Sequence, residues 1–229
     1  MESYYGKPPL ITWGLLFPAV LILAVYVKDP ATYLAVCPGI IAMTLLFGNT
    51  SMAAIVVTFE KRTGTLQRLL LAPVTPGTIV MGKAASAACY GLATAILLTL
   101  GLALLLGLRL AKPHAFAAGL LLGAVTFSLL GLTAAVLVRE VFEAMTLMNF
   151  FRFPILFVSG VFMPVDVLPN WLKPVAVASP LTHVVELLRY GMFGRSCFAS
   201  PWVPFLVALA FSGVSGWVAC VAFQRSAYR

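Results

Sequence analysis

Tyr33–Phe59, YLAVCPGIIAMTLLFGNTSMAAIVVTF, contains no Asp, Glu, Lys or Arg. About 20 apolar residues in helical form cross a bilayer core, so this stretch is long enough to span one. Four more uncharged runs repeat the pattern: Leu10–Val27, Ala84–Leu108, Ala115–Val138 and Cys197–Phe223. None alternates apolar and polar residues as a membrane β-barrel strand does, and a helix satisfies its own backbone in lipid. A sixth run, about 144–165, is broken only by Arg152, expected near one end of its span, where its head can snorkel to the interface. The sequence therefore predicts an all-α integral membrane protein with six transmembrane helices, at about 10–27, 33–59, 76–108, 115–138, 144–165 and 200–223. They form one transmembrane domain over 1–229.

Composition agrees with lipid as the main solvent. Hydrophobic residues make up 62% of the chain and charged ones 10%, against roughly 25% charged in a soluble domain. The +8 balance comes from 15 Lys and Arg against 7 Asp and Glu, spaced singly between apolar runs rather than gathered on one helix face. Nucleic acid is therefore not expected as a partner. Putting both termini, Glu60–Lys83 and Arg139–Arg152 on one side collects nine basic residues there. Lys28, Arg109, Lys112, Lys173, Arg189 and Arg195 fall on the other side, so the positive-inside rule places the termini in the cytoplasm. The run Leu10–Val27 is longer than a signal-peptide core of roughly 7–15 residues and is read as a retained span.

Four prolines follow a short capping side chain: Asp29-Pro30, Thr75-Pro76, Ser179-Pro180 and Ser200-Pro201. Cap followed by proline is a helix start, because the cap oxygen takes an orphan amide and proline at N1 has no donor to lose. Pro174–Val185 is too short to span alone, so about 166–192 is expected as a short re-entrant or interfacial outer helix pair. In it His183, Glu186 and Arg189 share a face, and Glu186 can pair with Arg189. That pair either anchors the hairpin or touches substrate, the anchor being favoured because charge near lipid needs a partner in any case.

Glu60-Lys-Arg-Thr-Gly-Thr-Leu-Gln-Arg-Leu-Leu-Leu-Ala-Pro73 reads as a short amphipathic helix at about 61–72, with Leu66, Leu69 and Leu70 on one face and Pro73 and Pro76 stopping it. Periodicity alone allows either an interfacial anchor or a contact for another protein. This segment resembles the cytoplasmic loop of the ABC exporter permeases of the second type, through Glu60, Gly64, Thr65, Leu66, Leu69 and Pro73. Pro38-Gly39 before it and Gly82-Lys83 after it resemble the same family. So does the block from Met163 to Arg189, with Pro164, Leu168, Pro169, Trp171, Pro180, His183, Glu186 and Arg189.

The resemblance implies a permease subunit of an ATP-driven exporter in the inner (plasma) membrane. Two copies would pair about a two-fold axis, as a homodimer, and enclose the substrate path. The loop after span two would be a coupling helix against a separate ATP-binding cassette subunit, which holds MgATP, and the block after span five would close the outer end. Many such permeases carry a longer basic amphipathic segment before span one than the nine residues ahead of Leu10. The ATPase contact would then be expected at Glu60–Pro73 and Arg139–Asn149.

Other chemistry is weaker. Gly77–Lys83 fits the first seven positions of a phosphate-binding P-loop, but Ala84 stands where magnesium needs Ser or Thr, so no nucleotide site and no catalytic residue is expected in this chain. His183-Val-Val-Glu186 lacks further ligands, and Cys37, Cys89, Cys197 and Cys220 are far apart, so no metal is expected. Asn49-Thr50-Ser51 forms a glycosylation triplet only on paper, since it lies inside a span. It is read as a polar stripe facing a partner helix or the pathway. An ion-gradient-driven secondary transporter is the alternative, disfavoured because the middle of the long runs holds no Asp or Glu. A membrane protease would need more than Ser159, Gly160 and His183.

Overall fold

A computed structural model describes residues 12–29, 33–70, 73–138, 140–198 and 200–227. A π-helical turn, Thr12–Leu16, leads into α1 (Phe17–Lys28), followed by α2 (Tyr33–Arg62), α3 (Thr65–Leu70), α4 (Pro76–Leu106) and α5 (Pro113–Leu137). Then come α6 (Val141–Val158), a 3-10 turn (Val165–Val167), α7 (Lys173–Val177), α8 (Pro180–Phe193) and α9 (Trp202–Ala227). The described residues contain no strand. Five helices, α2, α4, α5, α6 and α9, are long and apolar enough to cross a membrane. The expected first span corresponds to a shorter apolar helix, Gly14–Lys28; Leu10 and Ile11 lie outside the described residues.

The bundle is built around α2. In its most apolar stretch 94% of residues are buried, against 22% in α4 and 17% in both α6 and α9. Burial on all sides needs close neighbours, and small residues supply them. A Cβ on Gly131 of α5 would sit 2.6 Å from the Thr50 carbonyl oxygen, and one on Gly39 would collide with the backbone of Val161. Such contacts let backbones approach and give the dense packing that lipid cannot drive by itself. Thr44 and Thr58 bond back to Ile40 O (3.1 Å) and Ala54 O (2.6 Å), so neither hydroxyl needs a partner outside the helix.

The helix starts behave as expected in part. Thr75 accepts from the Thr78 amide at 3.3 Å with Pro76 behind it, and the Trp202 amide donates to Ser200 Oγ at 3.4 Å. Ser179 makes no cap bond. Its hydroxyl is 2.7 Å from that of Ser159, tying the start of α8 to the end of α6. Asp29 ends α1 in extended conformation, and Pro30 lies outside the described residues.

Two boundaries change a reading. The expected crossing at 144–165 is α6, Val141–Val158, which shifts Arg152 eleven residues in, about 16 Å from the helix start at 1.5 Å per residue. Arg152 does not snorkel: it is 3% exposed and faces α2. The expected helix at about 61–72 is shorter because Lys61 and Arg62 still belong to α2; Leu71 and Ala72 lie outside the described residues.

The hairpin of α7 and α8 does not lie flat. Gly191 meets Phe116, Gly119 meets Leu187 and Leu188 at 3.1 Å, and Gly123 meets Val184 at 2.9 Å, distances being those a Cβ would have. α8 thus runs antiparallel to α5, and its start lies deeper along α5 than its end. It dips into the bundle and is buried by protein over most of its length.

Replacing Gly131 by Val should force α2 and α5 apart and cost about 1–3 kcal/mol, the range for overpacked cores. Gly101, with open space around it, should accept Ala without loss. Unfolding midpoints of both variants in detergent micelles check this.

Candidate functional site

Two ends of the bundle carry predicted site residues, and a polar seam lies between them on α2. At the elbow end, α2 stops because Gly64 takes a left-handed conformation, φ 71°. The Thr63 amide closes the last turn on Phe59 O at 2.9 Å, and the Thr63 and Thr65 hydroxyls meet at 3.0 Å. Any other residue at Gly64 would put its Cβ against the carbonyl that follows. The chain then turns directly into α3. Leu66 is buried beside the α2, α4 and α5 residues Met52, Val57, Ile79 and Leu132, while Leu69 is 38% exposed and Pro73 is exposed.

The last three residues of α2 each hold a different helix. Glu60 pairs with Lys83 of α4. Lys61 donates to the carbonyls of Ala135 and Val136 at 2.8 Å and of Val138 at 3.3 Å, so an ammonium closes the C-terminal end of α5, where helix carbonyls lack partners and the dipole favours a cation. Arg62 reaches Glu140, the N-cap of α6, at 3.6 Å. Being exposed on both sides, this last pair contributes orientation more than energy. Sequence reasoning singled out Glu60 but neither Lys61 nor Lys83 as its partner. The signal available was charge: Glu60 and Lys83 flank the elbow, and Lys61 falls on the last turn of a long apolar helix.

Along the seam, Asn49, Thr50 and Ser51 are all buried. Thr50 donates to Leu46 O and accepts from Arg152 Nη2; Arg152 Nη1 donates to Asn149 Oδ1 at 3.2 Å, and its guanidinium lies 5.1 Å over the Phe47 ring. Asn49 fills the space that a Cβ on Gly91 would need, and its amide has no hydrogen-bond partner among the described residues. Gly77–Lys83 lies inside α4 as continuous helix and forms no phosphate-binding loop.

At the hairpin end, Glu186 and Arg189 form a buried ion pair. The second Glu186 oxygen accepts from Cys197 N at 2.9 Å and Ser196 Oγ at 3.4 Å, and Arg189 Nη2 donates to Gly160 O at 3.0 Å. The pair therefore ties α8 to the turn after α6 and to the connection into α9. His183, on the same face, meets Val177 O at 2.8 Å and stacks near Phe198 and Phe211. Burial first, then the neighbouring Glu186 charge, pushes the Cys197 thiol up to about 11, leaving it protonated at neutral pH. Pro164 starts the 3-10 turn, Leu168 is buried with Val165 and Ala176, Pro169 O accepts from the Leu172 amide at 2.9 Å, and Pro180 opens α8. Trp171 is exposed, as an interfacial tryptophan is. Among the described residues, no three His, Cys, Asp or Glu side chains gather to hold a metal.

Five helices long and apolar enough to cross a membrane, α2 among them buried by its neighbours, with a buried hairpin at one end and a short helix at the other, describe a multi-pass membrane protein. Residues 1–193 match the ABC-2 type transporter family, and the chain belongs to it. Among its relatives is the inner membrane transport permease YhhJ of Escherichia coli (strain K12), 26% identical over 210 residues, which are 86% of this chain and 53% of YhhJ. The probable multidrug ABC transporter permease YbhR of the same strain is 26% identical over 198 residues, 83% of this chain and 52% of YbhR. The inner membrane transport permease YadH, also of that strain, is 25% identical over 162 residues, 69% of this chain and 62% of YadH. The chain spans about half the length of YhhJ and YbhR.

Removing one partner of the Glu186–Arg189 pair should strand a buried charge and destabilise the fold by about 3–5 kcal/mol. Replacing both by Met should recover most of that loss. Unfolding of E186A, R189A and E186M/R189M in micelles reads the difference.

Proposed function

We propose that this chain is the membrane subunit of an ATP-driven exporter in the inner membrane, one permease domain with six crossings and cytoplasmic termini. Two copies pair to enclose the pathway, and each binds an ATP-binding cassette subunit that holds and hydrolyses MgATP. The observation that carries this reading is the clasp at the end of α2. A push on α3 reaches α4 through Glu60, α5 through Lys61 and α6 through Arg62. A contact that drives a pathway must move several helices together, and a loop floating on the interface would move none.

Within this reading α3 is the coupling helix, and Glu60, Gly64, Thr65, Leu66, Leu69 and Pro73 shape it. Gly64 sets its angle to α2 and Leu66 roots it under the bundle. The hairpin of α7 and α8, braced by Glu186 and Arg189, closes the outer end, and Asn49, Thr50 and Ser51 lie beside the pathway at mid-depth.

Copurification with the cassette subunit, followed by substrate-stimulated ATP hydrolysis in liposomes, tests the proposal. Gly64→Ala forces a left-handed alanine, about 1–2 kcal/mol, and should cut stimulated hydrolysis roughly five-fold or more, since each 1.4 kcal/mol is about tenfold. Glu60→Lys should abolish coupling and E60K/K83E restore most of it. Full stimulation in both G64A and E60K ends the coupling role.

Orientation is read separately. In a background free of other cysteines, Thr63→Cys should react with a membrane-impermeant maleimide only after the cytoplasm is opened, and Lys112→Cys in intact spheroplasts.

A further inference from the structure

A cavity of about 520 Å³ opens between α2, α3 and α4, within the roughly 300–1,000 Å³ of small-ligand sites. Met52 and Val57 of α2, Ile79 of α4 and Leu132 of α5 line its depth, all buried and apolar. The Glu60–Lys83 pair lies at its polar side together with the Thr78 and Ser86 hydroxyls. Gly82 and Ser86 are exposed along α4, a helix that leaves most of its apolar stretch uncovered. The mouth therefore opens sideways along α4, on an apolar face that the rest of the chain leaves uncovered.

Apolar depth, a cation at the rim and a lateral opening one to two turns inside the end of the bundle match one ligand chemistry. The geometry points to a resident phospholipid: one acyl chain fills the cavity against Met52 and Val57, and its phosphate lies beside Lys83. An ammonium has three donors and Glu60 takes one, so others remain for phosphate oxygens. Exposed Arg68 of α3 adds positive charge at the same end, where an anionic leaflet surface attracts it. A chain in this place is packing material between the short helix and α4, and it stiffens the elbow as a side chain would. The assignment of leaflet, the cytoplasmic one, rests on the proposed orientation; the binding itself does not.

Gly82 gives a clean way to close the mouth. A Cβ there meets nothing within 4 Å, and the same holds for Gly101 further along α4, away from the cavity. Gly82→Phe should fill the cavity from its rim, and Gly101→Phe is the control. Native mass spectrometry of the purified chain, with or without its ATPase, should show one phospholipid-mass adduct per chain for wild type and G101F, and at least a tenfold lower occupancy for G82F. Equal occupancy in G82F, no adduct on wild type, or an adduct of some other mass overturns the proposal. The last two outcomes would mean that another part of the protein, or a transported amphiphile, takes the space.

A second measurement needs no variant. A phosphatidylglycerol carrying a diazirine near the chain end should label Met52 and Val57, which are buried from bulk lipid, as well as the exposed Ile96 and Leu97 of α4. Labelling confined to the exposed residues overturns the proposal. Loss of lipid with ATPase coupling intact removes the resident lipid and leaves the exporter reading standing, whereas lipid retention without any ATPase partner does the reverse.

Discussion

A helix surrounded by other helices has no solvent to satisfy the polar groups it carries, and α2 is in that position over nearly its whole length. Apart from Asn49, whose amide has no hydrogen-bond partner among the described residues, its threonines and its charged end are met by particular neighbours or by its own backbone. The threonines use the second route. The charged residues at its end use the first, and because they are consecutive they project in different directions and find three different helices. The clasp is thus a consequence of burial together with helical geometry: successive residues are turned by about 100°, so three charges in a row cannot share one partner.

Arg152 shows the same constraint at mid-depth. A guanidinium in the bilayer interior is costly unless it points into protein, and here a threonine hydroxyl, an asparagine carbonyl and an aromatic face receive it. No carboxylate within 4 Å pairs with it among the described residues. The arrangement locks α6 to α2, which otherwise leaves α6 with a broad exposed face rich in phenylalanine. Glu186 and Arg189 solve the equivalent problem at the hairpin by pairing with one another and spending their remaining valences on backbone groups of two connecting segments.

What was readable beforehand follows from which forces act locally. Five of the spans were visible because lipid imposes one composition on every residue of a crossing, and the starts at Thr75 and Ser200 because capping is settled within four residues. The pairing of Glu186 with Arg189 was legible for the same reason, being a contact along one helix. Arg152 was misplaced because the uncharged run was carried through Ser159-Gly160 to Val165, whereas Gly160, at a left-handed φ of 76°, marks the end of α6 at Val158. Ser179 looked like a cap, yet Ser159, twenty residues earlier, takes its hydroxyl. The reach of Lys61 to carbonyls more than seventy residues away is a matter of packing, and no spacing rule contains it.

The two ends of the bundle also differ in how they are held, and the difference bears on which one can move. The hairpin end is knit by buried groups, a fully enclosed ion pair and the hydroxyl contact between Ser159 and Ser179, interactions that break only at high cost. At the elbow end the clasp is half-buried at Lys61 and at the Glu60–Lys83 pair and exposed at the Arg62–Glu140 pair, so the link to α6 is the weakest of the three. Force applied at α3 would then shift α2, α4 and α5 as a body while α6 lags behind. Under the proposed coupling role, the hold of Arg152 on Thr50 would turn that lag into a tilt of α6, and the hairpin, joined to α6 by the Ser159–Ser179 contact, would feel it.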